Sequence, residues 1–159
     1  MIIYVLTFLW CLFVIVLLIV LSKSVFSGDE IYAFNDFGKA DIPYITINVQ
    51  GIDLNMIVDT GCGVSIITSD ILGCLSFEES SRRINLEALT PDSLPSNTVT
   101  IPITVKNRVV HEDFVVYDKA DIANFQANYG IVIHGILGNE FFDKVKCLID
   151  YHKHTVTFY

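Results

Sequence analysis

Clusters of positive charge are missing from this chain. Ten Lys and Arg face eighteen Asp and Glu, the net charge is −8, and no basic run is longer than Arg82-Arg83. Such a chain cannot neutralise a row of phosphates, so no nucleic-acid partner is expected. Cysteine is sparse as well: four residues, none in a CxxC spacing, and one of them, Cys11, inside an apolar run. No disulfide scaffold or zinc site is implied, and thiols left over in odd number suit a reducing compartment, with one bridge among Cys62, Cys74 and Cys147 left open. With nine Gly and four Pro the sequence is neither collagenous nor low in complexity. It also holds no Asn-x-Ser/Thr glycosylation acceptor.

What is present divides sharply in two. From Ile2 to Leu21 every residue except Thr7 is apolar or aromatic, and all eighteen acids lie beyond Gly28. Nine of the ten basic residues also lie there, so that part carries 9 − 18 = −9. Twenty apolar residues at about 1.5 Å rise span roughly 30 Å, the thickness of a hydrocarbon core. Tyr4 and Trp10 toward one end and Lys23 after the other are the interfacial residues of a spanning helix. A cleaved signal peptide competes with this reading, since Val25-Phe26-Ser27 has small-residue spacing before Gly28. The missing basic n-region and the length of the run favour a retained anchor over residues 1–22. Lys23 weakly favours a cytoplasmic domain in a single-pass protein. Residues 23–41, with Gly28 and Gly38 among charges, read as a polar tether.

Residues 42–159 are strand-like by period two and by β-branched content. Ile45, Ile47 and Val49 alternate with Thr46 and Asn48, and Gln50-Gly51 turns the chain into residues 52–59, which predicts a hairpin. Residues 64–68 continue as a strand before a short helix at 71–75. Val99, Ile101, Ile103 and Val105 share one face of a strand in which Pro102 marks an edge position. Lys106-Asn107-Arg108 turns into residues 109–117. A buried strand is expected over 131–137, a short helix over 139–145, and two closing strands around a His152-Lys153-His154 turn. The fold class is therefore all-β, with seven to nine strands and two or three short helices.

The chemistry concentrates at Met56-Ile57-Val58-Asp59-Thr60-Gly61. An acid directly after an apolar strand, followed by a hydroxyl residue and glycine, places a carboxylate at a strand end in a tight loop. An isolated Asp-Thr-Gly is more often a turn cap. Here, however, it is followed by Ser65-Ile66-Ile67 and, about seventy-five residues on, by Ile133-His134-Gly135-Ile136-Leu137-Gly138. This combination resembles the retropepsin-like aspartic proteases. In that family an apolar-apolar-Asp-Thr-Gly stretch supplies the catalytic aspartate, and a later apolar-apolar-Gly packs behind it before a short helix. Residues 56–67 look like the first element. Ile136-Leu137-Gly138-Asn139 looks like the second, with Glu140-Phe141-Phe142 opening the helix and Leu148-Ile149-Asp150 the strand that follows.

The resemblance covers about residues 42–159 and implies a closed β-barrel lobe of the acid-protease fold with short helices, preceded by one N-terminal transmembrane helix. It implies hydrolysis of peptide bonds in a peptide or protein substrate by water held between two aspartates that share a proton. The chain has a single Asp-Thr-Gly, and residues 42–159 are too few for two lobes. The resemblance therefore implies a homodimer with one Asp59 from each copy and with Thr60 and Gly61 interlocking the loops. Neither cofactor nor metal is implied.

Two departures from the family pattern stand out. Cys62 follows the triplet where Ala or Ser is usual. No glycine occurs between Gly73 and Gly130, so a flap hairpin would carry the stiffer tip Pro91-Asp92-Ser93-Leu94-Pro95. This keeps a second reading open, a catalytically silent dimerising or peptide-binding module tethered to the membrane. The remaining polar groups read as structural: His152 and His154 in a solvated turn, His134 packed near the Gly138 turn, His111-Glu112-Asp113 and Glu78-Glu79 as solvated turns or strand edges. Asp53, Asp70 and Asp150 read as hairpin, cap and structural residues. Phe141, Phe142, Tyr151, Phe158 and Tyr159 read as core or dimer surface.

Overall fold

The computed structural model describes residues 10, 12–17, 29–35, 42–82, 84, 97–118 and 130–159. Of the expected anchor, Trp10 and residues 12–17 are helical, with most of their side chains exposed. Among the described residues no helix is long and apolar enough to cross a membrane. The rest of the anchor and the flap tip at 91–95 lie outside the described residues.

Ten strands and two short helices make up the described part beyond residue 28. The strands are β1 (Glu30–Ala33), β2 (Tyr44–Val49), β3 (Ile52–Val58), β4 (Ser65–Thr68), β5 (Glu78–Glu79), β6 (Thr98–Val105), β7 (Arg108–Tyr117), β8 (Gly135–Leu137), β9 (Cys147–Asp150) and β10 (Thr155–Phe158). The helices are Ser69–Leu72 and Asn139–Val145. Seven strands form one sheet in the order β2-β3-β8-β4-β7-β6-β5, and β1-β10-β9 form a second. Among the described residues the larger sheet ends at β2 and β5, which do not pair with each other, so a curled open sheet replaces the expected closed barrel. Its far edge is only two residues long: β5 pairs Glu78 and Glu79 with Thr100 and Val99, so among the described residues β6 is itself an edge where Pro102 stands.

Local sequence explains the hairpins. Gln50 and Gly51 both have positive φ, 55° and 88°, as a tight two-residue turn between right-twisted strands demands, and the β2–β3 register runs from Tyr44–Ile57 to Val49–Ile52. Period two then turns Ile45, Ile47 and Val49, and Leu54, Met56 and Val58, to the same core. Val99, Ile101, Ile103 and Val105 of β6 join them, as do Phe114 of β7 and Phe141, Phe142 and Val145 of the second helix. Each such side chain contributes about 1.5–3 kcal/mol on full burial, so this cluster carries the stability of the lobe.

Glu30–Ala33, expected within a polar tether, is a strand. Its partner is at the opposite end of the chain: β1 pairs antiparallel with β10, from Glu30–Phe158 to Ala33–Thr155. The Tyr32 ring meets Phe158 edge-on at 5.4 Å between centroids. Phe34 is buried against the Tyr151 and His154 rings, and its N–H donates to the His154 carbonyl at 2.8 Å. The Glu30 carboxylate accepts the Tyr32 hydroxyl and the Lys106 N–H.

Cys62, Cys74 and Cys147 are free thiols. Burial, with Asp143 nearby, pushes the Cys147 thiol up, whereas Cys74 is exposed. Because the thiolate is the reactive species, a thiol-alkylating reagent at neutral pH is expected to modify Cys74 well before Cys147 in the folded protein. Unfolding should bring the two rates together. Peptide mass mapping over time measures this, and equal native rates would contradict the packing of β9.

Candidate active site

The order of strands makes the site. β8 lies between β3 and β4, parallel to the first and antiparallel to the second: Val58 pairs with Leu137, and Ile66 with Ile136. The chain leaving β3 must therefore arch over the end of β8 to enter β4, and that arch is residues 59–64. Asp59 is its first residue. Its N–H donates to the Leu137 carbonyl at 3.1 Å, its carbonyl accepts the Cys62 N–H at 3.2 Å, and its Oδ1 accepts the Gly61 N–H at 2.9 Å. A Cβ on Gly61 would stand 3.1 Å from that oxygen, so glycine keeps the carboxylate close to its own loop. Asp59, Thr60 and Gly61 are all exposed, at the rim of a lobe whose strands below them are buried.

The second motif holds the arch from beneath. Gly138 follows β8 directly, and a side chain there would run into the backbone of Val64 and meet the Cys62 carbonyl at 2.9 Å. The Asn139 N–H donates to the Cys62 carbonyl at 2.7 Å and the Glu140 N–H to the Gly63 carbonyl at 3.3 Å. The start of the second helix thus spends its otherwise unpaired N–H groups on the loop. The Gly138 N–H donates to Ser65 Oγ at 3.1 Å. The two motifs noted seventy-five residues apart meet as one unit, the later glycine behind the Asp-Thr-Gly loop. Cys62 fits the arch: half-buried, its thiol donates to the Val64 carbonyl at 3.0 Å.

The other acids stand elsewhere. Asp53 is exposed and accepts the Asn48 amide, and Asp70 is in the first turn of the Ser69–Leu72 helix. Asp150 accepts the Lys153 and His152 N–H groups, contacts that hold its carboxyl below the usual carboxylate range and shape the closing turn. His134 is at the far end of β8 from Gly138, not packed near that turn as expected. Its Nδ1 accepts the Asn55 N–H at 2.9 Å, and its carbonyl accepts the Thr68 N–H. Among the described residues no group of three His, Cys, Asp or Glu is placed to hold a metal ion.

Two features beside the site escaped the sequence reading. Glu112, expected on a solvated edge, is fully buried and bonded to Ser65 and Lys144. Arg82 makes a two-pronged ion pair with Glu140 of the second helix, at 2.5 and 2.6 Å. The Arg82 guanidinium holds the Glu140 carboxyl below the usual range, so this pair stabilises the fold above the unfolded-state value near 4 and loses that contribution as the pH falls through the lowered one. Both side chains are partly exposed, which limits the pair to about 1 kcal/mol or less. Arg82→Met is accordingly expected to lower the thermal midpoint more at pH 7 than at pH 2.5. An equal shift at both values would mean that the ion pair is not what matters.

No family model matches the chain, and no curated protein matches it significantly. Solved structures similar to it include those of aspartic proteases and a protease-like domain. One is a retropepsin-like aspartic protease from Rickettsia conorii, 20% identical, covering 82% of this chain and 89% of that one with a TM-score of 0.49. Another is the retroviral protease-like domain of Ddi1 from Leishmania major, 14% identical over 73% of this chain and 90% of that one, TM-score 0.42. A third is the EIAV protease complexed with the inhibitor HBY-793, 15% identical over 69% and 92%, TM-score 0.45.

Proposed function

We propose that this chain is an aspartic endopeptidase, anchored to a membrane by residues 1–22 and active as a homodimer. The observation that carries the reading is the Asp59 loop itself. It is an exposed carboxylate on a backbone clamped from below by Leu137, Gly138 and Asn139, with glycine and threonine where a second copy of the loop would meet it. One such carboxylate is half of the machinery that splits a peptide bond with water: one carboxyl takes the water's proton while the other donates to the carbonyl oxygen. With Asp53, Asp70 and Asp150 held elsewhere, the partner group is the Asp59 of a second copy across a two-fold axis. The twenty-residue apolar run supports the anchor, and confinement to a bilayer raises the chance that two copies meet. Lys23 favours a cytoplasmic lobe.

The full chain in lipid vesicles, at densities where crosslinking reports dimers, is expected to cleave a peptide library at mildly acidic pH and to be inhibited by a statine-type transition-state mimic. Absence of cleavage by a demonstrated dimer would replace the protease with the silent dimerising module.

A further inference from the structure

Beneath the Asp59 loop lies the only charged side chain that is fully buried among the described residues, Glu112 at 0% exposure. It occupies an inward position of β7 between Val110 and Phe114, both also buried. Its two oxygens are divided between two partners. Oε1 accepts the Ser65 hydroxyl at 2.7 Å, and Oε2 accepts Lys144 Nζ at 2.6 Å; the same ammonium also donates to the His111 carbonyl at 3.3 Å. Ser65 Oγ in turn accepts the Gly138 N–H. One carboxylate therefore joins β7, the first residue of β4 and the second helix, and through Ser65 it reaches the glycine under the arch.

A buried ion pair is a poor source of stability, because the cost of desolvating two charges is rarely recovered and an apolar residue of similar size often serves as well. A carboxylate does something here that leucine could not. Being an acceptor only, it draws the Ser65 proton to itself and leaves a Ser65 lone pair for the Gly138 N–H. Ser65 is where residues 59–64 enter β4, and Gly138 is next to Leu137, whose carbonyl holds the Asp59 N–H. Both ends of the loop are thus tied to one side chain. We propose that Glu112, with Lys144 as its counter-ion, is a positioning residue that fixes the Asp59 carboxylate through Ser65 and Gly138. This rests on the protease reading of that loop.

The test uses the full chain in vesicles with Glu112→Gln, Ser65→Ala, Lys144→Met and Lys144→Arg, and two readouts. Glu112→Gln is expected to lower kcat about tenfold to a hundredfold, the usual cost of a misplaced reacting group, with KM changed little. Combining it with Ser65→Ala should cost little more than the worse single change, and Lys144→Arg should recover most of what Lys144→Met loses. Independently of activity, amide hydrogen exchange at residues 59–65 and 138 should speed up in Glu112→Gln by a larger factor than in the β2–β3 hairpin. Should Glu112→Gln fail to fold, Ser65→Ala and Lys144→Met carry the same two readouts. Unchanged kcat with unchanged loop exchange in an active protein would overturn the positioning role and leave the protease reading intact. Exchange rising equally in loop and hairpin would reduce Glu112 to a stabiliser and also overturn it. Faster loop exchange in a protein that cleaves nothing would support the bracing and count against the protease reading alone.

Discussion

Asp59→Asn is expected to abolish peptide hydrolysis, with a loss of about a thousandfold or more, in a protein that still folds and still pairs. Asn has the same shape, and its side-chain oxygen can accept the Gly61 N–H as Oδ1 does now, at 2.9 Å. The backbone bonds from the Asp59 N–H to Leu137 and from the Cys62 N–H to Asp59 involve no side chain at all. The unfolding midpoint should therefore move very little, which separates loss of chemistry from loss of structure. Mixing makes the prediction sharper. If each site needs one Asp59 from each copy, a one-to-one mixture of wild type and Asp59→Asn that pairs at random leaves about a quarter of the dimers active. Half the activity would remain if each copy worked alone with its own Asp59, and three quarters if one Asp59 per dimer were enough. Activity assayed against the fraction of Asp59→Asn decides between a quadratic and a linear decline. A linear decline, or full activity of Asp59→Asn alone, would sink the shared site.

The parts of this site that were legible in the sequence are those set by short-range rules. An acid between Val58 and Thr60-Gly61 has to sit at a strand end, and Gln50-Gly51 between alternating strands has to be a tight turn. The helix Asn139–Val145 has the expected bounds. What escaped depends on partners distant in sequence. β1 is a short run, Ile31 and Tyr32 beside Asp29 and Glu30, and only the exposed edge of β10, more than a hundred residues later, makes it a strand. The strand expected over 131–137 begins at Gly135 because the imidazole of His134, rather than a carbonyl of the ladder, takes the Asn55 N–H. Glu112 was misassigned for a different reason. Period two on Val110 and Phe114 puts position 112 on the inward face, and that parity was a usable signal of a buried carboxylate. The polar neighbours His111 and Asp113 masked it by suggesting a solvated edge. Lys144, the cation that makes the burial tolerable, comes from a different element and could be placed only by the fold.

Gly138→Ala should be among the most damaging single changes in the lobe, at about 3 kcal/mol or more, for a reason unconnected with backbone freedom. Gly138 has φ −89° and ψ 176°, extended backbone open to any residue. The requirement is one of space: the arch over β8 passes so close that a Cβ would run into the Val64 backbone and stand 2.9 Å from the Cys62 carbonyl. Neither obstacle is a side chain that could swing away. Both belong to a loop clamped by the Asn139 and Glu140 N–H groups, so relief means lifting residues 62–64 and breaking those bonds. Gly73→Ala is the matching control. That position ends the Ser69–Leu72 helix at φ −61°, with no atom within 4 Å of a new Cβ, so it should be neutral or slightly stabilising through the unfolded chain. Gly135→Ala is a second comparison, since its Cβ would strike the Ile66 carbonyl and meet the Met56 methyl at 2.8 Å in the sheet beneath the arch. Both clashing variants should lower the denaturant midpoint. The arch itself should be disturbed directly in Gly138→Ala, where amide exchange at residues 59–64 rises even under conditions in which the β2–β3 hairpin stays protected. If Gly138→Ala unfolded at the same denaturant concentration as Gly73→Ala, the arch would not be closed over Gly138, and the clamp that aims Asp59 would have to lie elsewhere.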